Sequence, residues 1–312
     1  MRVSARLPQY PPSSRVGAFL ATHALLASLV GRGHQVEVST YVPGPIKHSY
    51  LIDGVYVHPM VPWPELAKRA DLVVSHLGDD QEASTWATHH GVPSVRMVHG
   101  DPRPGDDLRD DLAVFNSQAL ADLVGWPGKQ VVVHPPVDPA IHRTTPGDRV
   151  TLVNLTEAKG GHLFWELADA TPDVEFLGVR GGYGIQVEGS APNVEVIDAT
   201  VDMAGDVWSR TRLLLMPSER ETWGMVAVEA MASGIPTIAH PTPGLVESLG
   251  PAGIFADRDD LPGWVAAVRR LLEPDAWAAA GSLSLARSAE LDPTQDAARF
   301  AAEVEALAPV PV

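Results

Sequence analysis

Hydrophobic residues along the chain alternate between short runs typical of strands and longer runs at helical spacing. In the first half the runs that predict strands are RVSARL, QVEVST, VYVHPM, DLVVSHL, SVRMVHG, LAVFNS and QVVVHPPV. The runs that predict helices are FLATHALLASLVGRGH, QEASTWATHHG and QALADLVGW. Strands that alternate with helices in this way indicate a parallel sheet covered by helices.

The same alternation restarts in the second half. Its predicted strands are RVTLVNL, VEFLGV, NVEVIDA, RLLLMP and PTIAH, and its predicted helices are GGHLFWELADA, MAGDVWSRT and GMVAVEAMAS. The stretch VHPPVDPAIHRTTPGD between the halves is dense in proline and turn formers, which favours a linker. We therefore predict an α/β protein with two Rossmann-like domains, over 1–142 and 143–292. The amphipathic segments LPGWVAAVRRLLEP and PTQDAARFAAEVEAL predict further helices, the last within 293–312.

The segment ERETWGMVAVEAMASGIPTIA, residues 219–239, places one carboxylate among small and apolar residues. Glu229 lies within the predicted helix, where burial of a polar group without a partner costs about 2 to 7 kcal/mol. Gly234 ends this helix, and Pro236 prevents its continuation. Some group must therefore compensate the buried carboxylate.

A nucleotide would supply such a group. In a strand–turn–helix unit, ligands lie at the carboxyl end of the strand, beside the helix N-terminus. The first amides of the helix, at about residues 224–226, suit a phosphate. Two ribose hydroxyls would satisfy both oxygens of Glu229, and Glu221 on the preceding turn would lie beside the group that a diphosphate carries.

These residues carry a resemblance to a known family. Glu221, seven residues and Glu229, followed by AMASGIPTIA, resemble the signature of retaining glycosyltransferases of the family-4 type, which include phosphatidylinositol mannosyltransferases and sucrose synthases. The resemblance implies the GT-B fold, in which two Rossmann-like domains with parallel sheets face each other across a cleft. It also implies that Glu221 contacts the transferred sugar, that Glu229 binds the ribose, and that the last helix packs on the first domain.

Weaker similarities extend the resemblance over most of residues 1–275. VNLTEAKGG is similar to the family turn that carries a diphosphate-binding lysine, here Lys159. Many relatives have an arginine five residues before this lysine, whereas this chain has Asn154, so half of the expected cationic clamp is missing. Arg180 or Arg220 are the candidates to replace it. Trp223 stands where phenylalanine is common.

The resemblance and the strand ends together give a set of candidate site residues. The predicted catalytic residues are Glu221 and His99, which resembles a first-domain histidine that reaches the donor sugar. The predicted donor-binding residues are Lys159, Asn154, Thr222, Trp223, Gly224, Met225 and Glu229. The predicted acceptor or cleft residues are Gly17, Asn116 and Ser117. For His99, Asn116 and Ser117, a purely structural role at a strand end is the open alternative.

Composition and charge argue against several other kinds of partner and active site. The net charge of −16 disfavours a nucleic-acid backbone as partner, and the absence of cysteine excludes thiolate chemistry and cysteine-ligated zinc. The twelve histidines show no metal-ligand spacing, so we expect no metal and no cofactor. No apolar run is long enough to span a bilayer, and the first residues lack the apolar stretch of a signal peptide. We expect a cytoplasmic location.

The sequence thus predicts an enzyme, a hexosyltransferase. It would move a sugar from a nucleoside diphosphate sugar, with UDP or GDP as the nucleotide, to an unidentified acceptor hydroxyl with retention and without a metal ion. The alternative is a nucleotide-sugar-binding or partner subunit of the same fold without turnover, which the missing arginine at Asn154 leaves open.

Overall fold

A computed structural model describes residues 1–14, 16–76, 81–100 and 109–307. The described chain divides into two compact units, one formed by residues of Met1–Pro136 and Pro293–Val312 and the other by Val137–Asp292. The second unit begins at Val137, a few residues before the boundary that the linker composition suggested. Residue 15 and most of the segment 100–111 lie outside the described residues.

The first unit is built on an eight-stranded sheet. Its strands are β1 (Arg2–Leu7), β2 (Gln35–Thr40), β3 (Tyr50–Ile52), β4 (Val55–Pro59), β5 (Leu72–His76), β6 (Ser94–Val98), β7 (Leu112–Phe115) and β8 (Gln130–Val132). Their order across the sheet is β3-β4-β2-β1-β5-β6-β7-β8, and all neighbours are parallel except the β3–β4 pair. The short antiparallel strand β3 was not predicted, because three residues give no usable period.

Helices cover this sheet. They are α1 (Gly17–Gly31), α2 (Trp63–Ala67), α3 (Gln81–His90), α4 (Gln118–Val124) and α11 (Pro293–Glu305). Helix α11 follows the whole second unit in sequence, yet its residues Phe300 and Val304 are fully buried in the same core as Leu25 and Leu29 of α1. At its end, Glu305 accepts two hydrogen bonds of 2.7 Å from Arg32.

The second unit is built on a six-stranded, fully parallel sheet. Its strands are β9 (Arg149–Val153), β10 (Phe176–Val179), β11 (Val194–Ile197), β12 (Thr211–Met216), β13 (Thr237–Ala239) and β14 (Gly253–Phe255). The order across the sheet is β11-β10-β9-β12-β13-β14. Strand order therefore reverses between β9 and β12, and ligands of such sheets bind outside the carboxyl ends of the strands at this reversal.

The second unit has six helices. They are α5 (Pro139–His142), α6 (Gly161–Ala170), α7 (Met225–Met231), α8 (Pro243–Leu249), α9 (Leu261–Leu272) and α10 (Pro274–Glu290). Two hydrophobic clusters lie on the two faces of the sheet: one contains Trp208 and Leu214, the other Leu213 and Trp264. Consecutive residues of β12 thus enter opposite cores, which explains the continuous apolar run in this strand.

One predicted helix in this unit is irregular. The stretch MAGDVWSRT is helical over 203–210, as a π-helical turn, Met203–Val207, followed by a 3₁₀ turn, Trp208–Arg210. The side chain of Asp202 accepts a hydrogen bond of 2.8 Å from the Gly205 amide and so closes the first turn locally. Asp202 is thus the N-cap of this helical segment.

Candidate functional site

Two charged side chains meet where the strand order of the second sheet reverses. Lys159 ends a 3₁₀ turn, Glu157–Lys159, that follows β9, and Glu221 lies on the loop that follows β12. The Lys159 ammonium donates a hydrogen bond to the Glu221 carboxylate. The lysine side chain is 22% exposed and the glutamate side chain 16% exposed, so a ligand can reach both. The sequence predicted each residue as a ligand contact but did not predict that they pair.

The pairing gives Lys159 a counter-charge. A cation near a helix start is unfavourable beside the positive end of the helix dipole unless an anion is present. In the structure Glu221 supplies a negative charge without any ligand. The lysine is therefore already held at the carboxyl ends of β9 and β12.

Close backbone packing fixes the loop that carries Glu221. Its residue Glu219 donates a backbone hydrogen bond of 2.9 Å to the Ala158 carbonyl, which joins this loop to the lysine turn. Gly244, in the first turn of α8, lies directly against the same loop: a Cβ atom there would come within 2.4 Å of the Glu221 carbonyl oxygen. Only glycine allows this approach, because the opposing atoms belong to the backbone.

Gly224 makes the turn from this loop into α7. It adopts a left-handed conformation with φ of 92° and precedes Met225, the first residue of the helix. A Cβ atom at this position would lie 2.6 Å from the Leu245 side chain. Gly234, just after the helix, also has a left-handed backbone conformation, with φ of 68°. Glycines in this conformation commonly end helices.

Glu229 is the buried carboxylate that the sequence singled out. It projects from α7, and its side chain is only 12% exposed. Within the described part of the chain no hydrogen bond reaches this carboxylate; the nearest basic atom is Nδ1 of His142, at 3.8 Å from Oε2. Burial raises the pKa of Glu229 from 4.5 to about 8. Without a ligand the Glu229 carboxyl is therefore mostly protonated near pH 7.

His142 was not predicted as a site residue, because it lies in the proline-rich linker. The structure places it on α5, whose end is attached to α7: Ser233 Oγ donates to the His142 carbonyl and accepts from the Thr144 amide, both at 2.9 Å. Burial lowers the pKa of His142, against a smaller opposing effect of Asp138. The neutral ring therefore lies beside Glu229 without adding a positive charge.

Asn154, predicted to bind the donor, lies at the end of β9 in a left-handed conformation with φ of 71°. Its side-chain oxygen accepts a hydrogen bond of 3.2 Å from Gln186 Nε2. Oε1 of Gln186 in turn accepts from the amides of Leu155, at 3.0 Å, and Gly181, at 2.9 Å. Asn154 thus helps to hold the loop 181–186 beside β9. Asparagine suits both the backbone conformation and this contact.

Of the two suggested replacements for the missing arginine, Arg180 pairs with acidic residues away from the lysine turn. The Arg180 guanidinium pairs with Glu188 at 3.1 Å and with Asp198 at 3.4 Å. Arg220 is exposed on the loop before Glu221. Lys159 is therefore the cation that the structure brings to Glu221.

The remaining donor-side candidates differ in exposure. Thr222 and Met225 are partly exposed on the loop and at the start of α7. Trp223 is only 2% exposed and packs in the hydrophobic core with Met216 and Leu245. A contact between Trp223 and the donor stays a prediction.

The first-unit candidates lie at strand ends of the other sheet. His99 follows β6, and its Nδ1 lies 3.1 Å from Nε2 of the fully buried His76 at the end of β5. Burial lowers the pKa of His99 to about 4, which keeps the ring neutral near pH 7. The role of His99 as a sugar contact stays a prediction. His76 was not singled out, because a histidine inside an apolar strand has no sequence signal of its own.

The other three candidates of this unit lie beside the ends of β7, α4 and α1. Ser117 is fully buried and caps α4, since its hydroxyl accepts a hydrogen bond of 3.1 Å from the Leu120 amide. Asn116 is 5% exposed at the end of β7, and Gly17 is the first residue of α1. The capping role of Ser117 is the structural alternative that the sequence left open.

The described residues contain neither a cluster of metal ligands nor a membrane-spanning helix. No group of three or more histidine or acidic side chains there is placed to hold a metal ion. In the same residues, no helix has the length and apolar character needed to cross a membrane.

A protein-family model matches part of the second unit, and curated relatives match parts of the chain. The family described as Glycosyl transferases group 1 matches residues 165–274. A D-inositol 3-phosphate glycosyltransferase of Nocardioides sp. is 40% identical over 80 residues, which are 24% of this chain and 18% of the relative. Its counterpart in Mycolicibacterium gilvum is 28% identical over 231 residues, 64% of this chain and 49% of the relative. The chain therefore spans less than half the length of these relatives.

Solved structures resemble the chain over nearly its whole length. A sucrose-phosphate synthase from Thermosynechococcus elongatus superimposes with a TM-score of 0.81 at 16% identity, over 98% of both chains. HepE of Anabaena in complex with UDP-glucose superimposes with a TM-score of 0.78 at 18% identity, over 98% of this chain and all of the other. The fold is GT-B, with two Rossmann-like α/β domains. The family model and the named relatives support an enzyme of the glycosyltransferase type.

Proposed function

We propose that this chain is a glycosyltransferase that takes a sugar from a nucleoside diphosphate sugar and transfers it to an acceptor hydroxyl with retention and without a metal ion. The observation that carries the proposal is Glu229, a buried carboxylate with no hydrogen bond within the described residues, on the helix that follows the Lys159–Glu221 pair. A ribose would supply hydroxyl donors to both of its oxygens, and the burial cost would then be offset.

In this proposal the phosphate end of the donor lies against Lys159. Negative charge grows on the leaving diphosphate as the glycosidic bond breaks, so a fixed cation beside it stabilises the transition state more than the ground state. The contact with Glu221 holds the ammonium in place before the ligand arrives. A cation that is already oriented needs little rearrangement during the reaction.

Glu221 then positions the transferred sugar. Its carboxylate can accept hydrogen bonds from sugar hydroxyls while the diphosphate takes over part of its contact with Lys159. Retention would follow if the leaving phosphate accepts the proton of the incoming hydroxyl on the same face of the sugar, as the family resemblance implies. Glu221 is in this scheme a binding group and not a nucleophile.

The relatives and structural neighbours support the choice of donor class. HepE is described in complex with UDP-glucose, and the matched family consists of glycosyl transferases. The donor base, the sugar and the acceptor are left open in the proposal. We also propose a cytoplasmic location, since a chain without cysteine fits a reducing compartment.

A panel of donors tests the proposal. Purified protein is incubated with UDP-glucose, GDP-mannose and ADP-glucose, with and without EDTA, and release of the nucleoside diphosphate is measured. We expect release with one of the donors, unaffected by EDTA, and its loss by at least about a hundredfold in Glu221→Gln. Glu188→Gln is the matched control, because it also removes a carboxylate that pairs with a cation of the same unit, at an exposed site. Proton NMR of the product reports the anomeric configuration.

The second candidate is a subunit that binds a nucleotide sugar without turnover. The observation in its favour is Asn154, whose side chain holds a loop where many relatives have a cationic residue. Binding of a donor by calorimetry with no release of nucleoside diphosphate from any donor would favour this candidate. Absence of both binding and release would reject both functions.

A further inference from the structure

Arg258 reaches the lysine turn from a distant part of the sequence. It lies between β14 and α9, and its guanidinium donates to the carbonyl oxygens of Glu157, at 2.5 Å, and Ala158, at 3.4 Å. The Glu219 carboxylate lies 3.9 Å from the same guanidinium. The side chain is 23% exposed, so most of it is packed against these groups.

The backbone of Arg258 is itself anchored. Its amide donates a hydrogen bond of 3.2 Å to Nδ1 of His240, the residue after β13. The His240 amide donates a bond of 3.0 Å to the carbonyl of Met216, the last residue of β12. The guanidinium therefore extends from a fixed point at the edge of the sheet to the turn after β9.

The turn that carries Lys159 has few hydrogen bonds of its own. The Lys159 amide donates to Thr156 at 3.0 Å, and the Gly160 amide donates to Glu157 at 2.9 Å. A turn of three residues gains little stability from such local bonds. Arg258 adds charge-assisted bonds to two successive carbonyls, which restricts the direction in which the lysine side chain leaves the turn.

We infer that Arg258 is a positioning residue for Lys159: it holds the Glu157–Lys159 turn so that the ammonium meets the diphosphate, and it does not touch the donor itself. This inference rests on the proposed function. It assigns a role to an arginine outside the Glu221–Glu229 segment, whose guanidinium is directed at backbone carbonyls of the turn.

Binding of nucleotides and nucleosides separates this role from a general effect on folding. UDP, GDP and ADP are titrated into the wild-type protein by calorimetry, and the tightest of the three is then compared with its own nucleoside. In Arg258→Ala we expect binding of the diphosphate to weaken about tenfold and binding of the nucleoside to change by less than about twofold. Arg258→Lys should recover only part of the loss, because an ammonium keeps the positive charge but lacks the planar fork of donors that reaches both carbonyls.

A double-mutant cycle tests whether Arg258 acts through Lys159. In the Lys159→Gln background, Arg258→Ala should cause no further loss of diphosphate binding, because the group that it positions is absent. Arg269→Ala is the matched control, since this arginine also bonds an acidic partner, Asp173, on the same unit but away from the lysine turn. It should bind both ligands like the wild type.

Any of the following results would overturn the inference. Additive losses in the double variant would show that Arg258 contacts the phosphates directly, and equal losses for nucleotide and nucleoside would show a general structural role. Unchanged binding in Arg258→Ala would reject the positioning role while leaving the proposed function standing. A wild-type protein that binds none of the three nucleotides would reject the proposed function and the inference together.

Discussion

Replacement of Glu229 by glutamine is expected to change how the stability of the protein depends on pH. In the folded protein, burial raises the pKa of this carboxyl from 4.5 to about 8. Between these two values the folded state keeps a proton that the unfolded state has released. The contribution of Glu229 to stability is therefore fully present below about pH 4.5 and declines as pH rises towards 8.

The size of the effect follows from the two pKa values. Each unit of difference corresponds to about 1.4 kcal/mol, so the full decline approaches ~5 kcal/mol above pH 8. Between pH 5.5 and 7.5 the wild type should lose about 2.5 kcal/mol from this group. A glutamine cannot ionise, and Glu229→Gln should lack this part of the pH dependence. For a domain of the size of the second unit, a loss of about 2.5 kcal/mol lowers the melting temperature by roughly 5 to 10 °C.

The measurement is thermal unfolding of both proteins at half-unit steps from pH 5 to pH 8.5, without nucleotide. Other titrating groups are common to both proteins, and their effects cancel when the two curves are subtracted. One of these common groups is His142, whose ring faces Glu229 and whose pKa is lowered by burial. Glu188→Gln, at an exposed carboxylate, should follow the wild-type curve. Parallel curves for the wild type and Glu229→Gln would refute the reasoning, since they would mean that the carboxyl is not desolvated.

Three further predictions concern other parts of the molecule. Lys159→Gln should weaken binding of a nucleoside diphosphate roughly 10- to 100-fold by calorimetry and leave the nucleoside nearly unaffected; equal weakening of both would contradict a phosphate contact. Gly244→Ala should cost about 1 to 3 kcal/mol in denaturant unfolding, because its Cβ would force the Glu221 loop to move; wild-type stability would show that the loop yields freely. Arg96→Ala should cost about 3 to 5 kcal/mol, because it leaves the buried carboxylate of Asp110 without the guanidinium that lies 2.7 Å away. A loss below about 1 kcal/mol in urea unfolding would show that water replaces the pair.

Much of the second unit could be predicted from local patterns. The strand RLLLMP, the turn after it and the helix around Glu229 were all identified, because continuous apolar runs, glycine and proline mark their limits. The segment MAGDVWSRT is helical as predicted, but its division into a π-helical and a 3₁₀ turn has no signal in the periodicity. Helix α10, Pro274–Glu290, was not singled out, since its many small residues give little amphipathic contrast.

The partners of the site residues were harder to predict than the residues themselves. Glu221 and Glu229 could be chosen from their places in the strand–turn–helix unit, and Lys159 from the family resemblance. Arg258 and His142 could not, because each reaches the site through a contact made by the folded chain rather than through a motif. The same holds for the Asn154–Gln186 contact, which gives a structural reason for an asparagine at this position.

The sequence by itself determined the alternation of strands and helices, the position of the buried acid and the chemical types available to the site, because these depend on local periodicity and composition. Only the tertiary structure decided that Lys159 pairs with Glu221, that no described group hydrogen-bonds Glu229, and that Arg258 holds the lysine turn. These features depend on strand order, which brings the ends of β9 and β12 together although about 60 residues separate them. Side-chain contacts across such separations leave no period in the sequence.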